Sequence, residues 1–296
     1  MIKRWNNLLL CLLLPGILCL SQVPSQVTSP AGPSANVYAI VSEKGVSGPI
    51  PASPQLVVLV DKEPAQIASL RSANEEKMLF ALLVDSSLSD AKKAALIRHI
   101  ASELFQRLSE GGNEGYLVVF NDPVATSKRT LQPQEVQQAL DSVKFGGATA
   151  LYDAIAGTCT TILSESRNPG ATRRAIFLIT DGEDTASSIT REKAEEAAER
   201  EGVPIFSLQI GSAGMGDAEK RHARQFLEDA GSHTGGQAIQ AKDLEEGIQL
   251  VISAVHQQWA IRLVPAQVFD QKMHSLAITS GDKSVKISAP KQISLQ

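Results

Sequence analysis

The sequence predicts an α/β protein: an open, mostly parallel, doubly wound sheet with helices on both faces, flanked by a small β domain. Three observations carry this reading. Two short and continuously apolar runs, Met78 to Val84 and Ala175 to Thr180, read as strands covered on both faces. Segments of helical apolar spacing alternate with such strands along the middle of the chain. Asp85 and Asp181 each stand one residue past one of those strands. That is the edge at which open α/β sheets bind ligands.

The elements follow in order. Residues 1–21 read as a secretory signal peptide, with Lys3 and Arg4 ahead of an apolar stretch that runs from Leu8 to Leu20. Pro15-Gly16 breaks that stretch and leaves it short for a membrane span, which needs about 20 apolar residues. The alternatives are an uncleaved anchor and a lipoprotein, but Leu18 precedes Cys19 where lipidation calls for a small residue. Residues 22–36, rich in Ser, Pro and Gln, read as a flexible linker. An N-terminal β segment spans 37–75. Its runs are Val37 to Val41 and Leu56 to Val60, and the second is predicted to turn through Asp61-Lys62-Glu63-Pro64 into a hairpin with Ala65 to Leu70.

The α/β domain is placed at 76–256. After the Met78 strand, Ser89 starts a helix whose face carries Ile97, Ile100, Ala101, Leu104, Phe105 and Leu108, and Gly111-Gly112 stops it. Tyr116 to Phe120 is the next strand, with Val124 to Thr130 returning as an antiparallel edge. Residues 133–143 and 151–164 read as helices around the loop of Thr149. Thr190 caps a charged helix that ends near Gly202, Val203 to Ile210 is a strand, and 217–231 is helical. Asp243 with Glu246 makes a capping box for a last helix with Leu244, Ile248, Val251, Ile252 and Val255 on its face. A C-terminal β segment spans 257–290, with runs at Trp259 to Val264, His274 to Thr279 and Ser284 to Ile287. We expect it to share one sandwich with 37–75; two separate appendages are the alternative.

Composition narrows the function classes. The 296 residues are 43% hydrophobic, enough for a core, and carry a net charge of −4. Removing Lys3 and Arg4 with the leader takes the charge to −6. No basic stripe appears, which argues against nucleic acid and against attraction to anionic membranes. Of three cysteines, Cys11 and Cys19 fall in the leader, so Cys159 alone remains and no internal disulfide is possible. No G-x-G-x-x-G, P-loop or G-x-S-x-G pattern is present, and the five His are scattered. Glu183 and Asp184 read as residues that solvate a loop or form an acidic rim.

Three separated segments can converge on one divalent cation. They are Asp85-Ser86-Ser87-Leu88-Ser89, then Thr149 within Gly146-Gly147-Ala148-Thr149-Ala150-Leu151-Tyr152-Asp153, then Asp181-Gly182. Two carboxylates and three hydroxyls are hard oxygen donors, suited to Mg²⁺ or Mn²⁺ and poorly suited to zinc or copper. At these residues the chain resembles the von Willebrand factor type A domain. Asp85-x-Ser87-x-Ser89, Thr149 and Asp181 match the three elements of its metal-ion-dependent adhesion site. Thr149 to Ile155 and Leu178 to Thr185 are similar to the secreted bacterial proteins related to that domain. Asp90 stands where that family more often has Met, and Ala148 separates the glycine pair from Thr149. The resemblance implies that Ser87, Ser89 and Thr149 are ligands, with Asp85 and Asp181 bound directly or through water. It also implies a protein partner whose Glu or Asp completes the shell. The expectation is an exported adhesion or scaffold module, periplasmic or extracellular, with no catalytic residue and no integral span in the mature chain. The alternatives are a Mg²⁺-dependent phosphoester hydrolase and a purely structural cation.

Overall fold

The computed structural model describes residues 35–43, 53–87, 91–121, 124–127, 130–165, 173–211, 215–241, 243–264 and 272–295. The leader reading, Ser89 and nearly all of the linker lie outside them. In chain order the first strands are β1 (Ala35–Glu43), β2 (Val57–Val60), β3 (Glu63–Pro64) and β4 (Gln66–Ser72). The α/β part runs β5 (Met78–Asp85), α1 (Ala91–Leu108), β6 (Glu114–Phe120), β7 (Ala125–Thr126), α2 (Pro133–Asp141) and α3 (Leu151–Gly157). A π-helical turn (Thr158–Ile162) joins α3 to α4 (Leu163–Glu165). Then come β8 (Arg173–Thr180), α5 (Arg191–Glu201), β9 (Ile205–Gln209), α6 (Asp217–Thr234), β10 (Gln237–Ile239) and α7 (Leu244–His256). The chain closes with β11 (Gln258–Val264), β12 (Met273–Thr279), β13 (Val285–Ser288) and β14 (Gln292–Ser294).

Among the described residues the central sheet has the order β10-β9-β8-β5-β6-β7, parallel throughout except for β7, which runs against β6. This is the doubly wound α/β architecture the alternation predicts. Every residue of β5 is buried, because the sheet is covered on both sides. Phe80, Leu82 and Val84 pack with α1, α2 and α7. Leu79, Ala81 and Leu83 point the other way, to α3, α5 and α6. The period of two along a strand thus divides one apolar run between two cores. The predicted faces of α1 and α7 lie in the first of these cores.

Two further sheets, β13-β1-β11-β4 and β14-β12-β2-β3, are built from both ends of the chain. They share one apolar cluster that includes Val37, Val41, Val58, Val60, Trp259, Leu263 and Ile293. β1 begins at Ala35, two residues before the predicted run. The predicted hairpin is cut short. Asp61 and Lys62 make a tight turn with positive φ, and the return strand pairs at Glu63 and Pro64 and ends with the Ala65 amide donating to Val58 C=O at 2.9 Å. From Gln66 the chain crosses to the other sheet, where β4 pairs antiparallel with β11. Thr190 precedes α5 as expected, but its hydroxyl caps no helix amide. Gly202 ends α5 in the left-handed conformation.

Candidate metal centre

The parallel order of the sheet brings the ends of β5, β6 and β8 to one edge. Val84 lies beside Ile179, so Asp85 falls opposite Thr180, and Asp85 itself pairs with Phe120. The Asp85 carboxylate is fully buried at this edge. Its Oδ1 accepts from the Ser87 amide at 3.0 Å and from the Ser87 hydroxyl at 2.6 Å. Its Oδ2 accepts from the Thr180 hydroxyl at 2.6 Å. The Thr180 oxygen in turn accepts from Gly182 N–H at 3.0 Å. Asp181 is 5% exposed, and its Oδ1 accepts from the Glu183 amide at 3.1 Å.

The three loops are tied to each other pairwise. Asp85 and Thr180 join the first to the third. The Gly146 amide donates to Ser86 C=O at 2.7 Å, which joins the first to the second. Thr149, 4% exposed, joins the second to the third. Its N–H donates to the Thr185 hydroxyl at 2.9 Å, and its C=O accepts from the amides of Thr185 and Ala186, each at 2.9 Å. Asp85, Ser87, Thr149 and Asp181 are therefore gathered on neighbouring loops at one sheet edge. Ser89, the remaining predicted ligand, is outside the described residues.

Several contributors escaped the sequence reading. Thr180 was legible only as the end of a strand; its role depends on the register that sets it against Asp85. Asp184 does not solvate the loop. Its Oδ1 accepts from the amides of Leu151 at 2.8 Å and Tyr152 at 3.2 Å, so it caps α3 directly after Thr149. Asp153 returns the tie by accepting from the amides of Ser188 at 2.9 Å and Ile189 at 3.2 Å. An acidic residue 33 positions from a helix start in sequence carries no local signal of that function. Gly182 has φ +87°, and a Cβ there would stand 3.0 Å from the Ala223 carbonyl of α6. Glycine is needed for both the backbone conformation and the close approach.

The electrostatics suit a cation. Burial pushes the Asp85 carboxyl up to about 6, and the charge of Asp181 adds to the rise. The groups that favour its ionised form are the Ser87 hydroxyl and amide and the Thr180 hydroxyl, none of them cationic. Among the described residues no three His, Cys, Asp or Glu side chains cluster to hold a metal. A metal at this edge would thus depend on hydroxyl donors as well as the two carboxylates. The donor set is all oxygen and fits Mg²⁺ or Mn²⁺. Cys159 is unrelated to the site: it is buried, and burial pushes its thiol up to about 12. Among the described residues no helix is long and apolar enough to cross a membrane.

No curated protein matches the chain. Among solved structures, proximal thread matrix protein 1 from the mussel byssus is 15% identical with a TM-score of 0.50, over 67% of this chain and 50% of that one. The chain thus spans about half the length of the mussel protein. An aerotolerance-related membrane protein from Bacteroides fragilis is 18% identical with a TM-score of 0.43, over 61% of this chain and 98% of that one. BatB from Bacteroides thetaiotaomicron is 17% identical with a TM-score of 0.45, over 61% of this chain and 97% of that one. The likeness to the mussel protein concerns the fold alone. The family model of the von Willebrand factor type A domain matches residues 80–253, more than half of the sequence, and takes in the three tied loops. The chain belongs to the von Willebrand factor type A domain family.

Proposed function

We propose that the chain is an exported protein-binding module of adhesion or scaffold type, in which a divalent cation engages an acidic side chain of a partner protein. One observation carries the reading. A fully buried carboxylate, Asp85, lies beside a second carboxylate, and among the described residues hydroxyl and amide donors alone offset its charge. Such a pair is costly to bury without a counter-charge. Mg²⁺ or Mn²⁺ would supply that charge, together with a coordination position open to an outside carboxylate. Asp85, Ser87, Ser89, Thr149 and Asp181 are the residues that would hold it.

Each group in the site has a distinct part. Ser87 is oriented by the bond from its hydroxyl to Asp85, which leaves the serine oxygen lone pairs available as donors to a metal. Thr180 fixes the other carboxylate oxygen and holds Gly182, setting the direction of the Asp181 turn. Thr149 is fixed by its own backbone bonds to Thr185 and Ala186. The hydroxyls are neutral, so the two carboxylates alone balance a divalent ion, and an anionic partner group is favoured over an amide. The exported location follows from the charged and apolar leader.

Titration calorimetry on chelated protein tests the site, with one Mg²⁺ or Mn²⁺ event expected and a weakened event in Thr149→Ala. Partner affinity, measured by surface plasmon resonance, should fall in EDTA and in Thr149→Ala, with circular dichroism unchanged. Equal partner affinity for the folded variant and the wild type, with or without EDTA, would rule out a bridging cation.

A further inference from the structure

The end of the α/β body opposite the metal edge holds a second polar centre. The chain leaves the β sheets at Ser72, the last residue of β4, and returns at Gln258, the first of β11. These strands are paired antiparallel, with Trp259 beside Ser72, so the outgoing and returning crossings run side by side. Asn74 of the outgoing crossing donates from its side chain to His256 C=O of the returning one at 2.9 Å.

Arg173, the first residue of β8, reaches into this junction and is 2% exposed. Its guanidinium donates to Ala73 C=O at 3.3 Å on the outgoing crossing and to Val255 C=O at 2.8 Å on the returning one. It also forks onto the Gln258 side-chain oxygen, through Nε at 3.0 Å and through Nη2. All of these acceptors are neutral. Glu76, the nearby acid, is bonded to Tyr38 and Arg71, and its charge favours the ionised guanidinium from a distance. Burial lowers the Arg173 guanidinium to about 10, so it is still charged at neutral pH. The desolvation of a buried charge offsets much of what its bonds contribute to net stability. What this one does provide is geometry: a rigid fork that fixes three chain segments at once.

A second contact lies elsewhere on the same boundary. Thr234 bridges to Pro290, and the Lys291 amide donates to His233 C=O at 3.0 Å. Gly235 directly follows Thr234, with φ +80°, and a Cβ there would stand 2.6 Å from Pro290 and 2.7 Å from the Tyr38 carbonyl. The Ser288 hydroxyl donates to Gly236 C=O at 3.0 Å. Ile40 of β1 is buried in the α/β core.

We propose that Arg173 is an orientation latch: together with the Gly235–Pro290 contact it holds the α/β body in one pose on the paired β sheets. Two fixed points, one at the crossings and one at the turn after α6, stop the body from pivoting about its two adjacent connections. The inference does not depend on metal or partner binding.

The test uses the full chain carrying spin labels at Lys220→Cys on α6 and Lys283→Cys before β13, both exposed positions. Pulsed dipolar spectroscopy should give a single narrow distance population. Arg173→Met/Gln258→Leu replaces the fork and its acceptor together, so no charge is left stranded. This variant should melt within a few degrees of wild type yet show a broadened or second population. Hydrogen exchange over 72–77 and 255–260 should be at least tenfold faster, with β5 unchanged. Gly235→Ala, which wedges the second contact, should broaden the distribution independently. A single unbroadened population in both variants would overturn the latch. Faster exchange spread evenly over β5 and β8 would also overturn it, by making Arg173 a general stabiliser.

Discussion

Asn in place of Asp85 is expected to stabilise the metal-free protein at neutral pH. The Asp85 carboxyl rises from 3.8 to about 6 in the folded state, a difference that disfavours the ionised form by roughly 3 kcal/mol. The folded state then binds the proton more tightly than the unfolded one. The contribution of this group to stability is present below about pH 4 and is lost as pH rises through about 6. Asn keeps the geometry, since its oxygen can accept from Ser87 and its amide can donate to the Thr180 hydroxyl. In EDTA at pH 7.5 Asp85→Asn should therefore exceed wild type by up to about 3 kcal/mol, or about 6–12 °C in Tm for a chain of this size. The two should converge near pH 4. Mg²⁺ at about a hundredfold over its Kd should return about 2.7 kcal/mol to wild type alone and close most of the gap. Thermal melts of both proteins at the two pH values, with and without Mg²⁺, provide the comparison. If Asp85→Asn melts below wild type in EDTA at pH 7.5, the buried charge is not the unfavourable element and the reasoning fails.

Gly182→Ala should cost about 2 kcal/mol in urea unfolding, from a positive φ and a Cβ against α6, and should weaken Mg²⁺ binding by moving Asp181; unchanged calorimetry would mean that α6 yields instead. Deleting 257–296 removes β11, which lies between β1 and β4, and β12, which pairs β2. Amide protection in Val37 to Leu70 should then collapse while β5 and β8 stay protected, and retained protection would show that the N-terminal strands hold together without them.

Much of the α/β body was legible because its signals are local. A buried parallel strand reads as an unbroken apolar run, and a helix start reads from residues within one turn, as where Asp243 accepts from the Glu246 amide at 2.8 Å. The candidate site was legible for a related reason: its acids directly follow those runs. What stayed hidden depends on register and on distance along the chain. Thr180 matters because β8 lies beside β5, and Asp184 because its loop folds back onto α3. Arg173 gives no local cue at all, since its acceptors stand 82 to 100 positions away in sequence. The hairpin after Lys62 was misjudged because alternation predicts a strand without naming its partner. β14 is three residues long, too short for a periodic signal.

The sheets built from both ends of the chain have a consequence for timing. As the polypeptide emerges, β1, β2 and β4 appear first, yet β11 and β12, the strands they pair with, are made only after the whole α/β segment. Closing contacts over so long a separation is slow. In the meantime the early strands present open edges and apolar faces such as Val37, Val41 and Val58, the surface through which incomplete chains aggregate. The α/β segment has no such delay, because its own strands and helices arrive in succession. A ribosome that stalls before Gln258 would release a folded centre carrying an unpaired, adhesive β fringe.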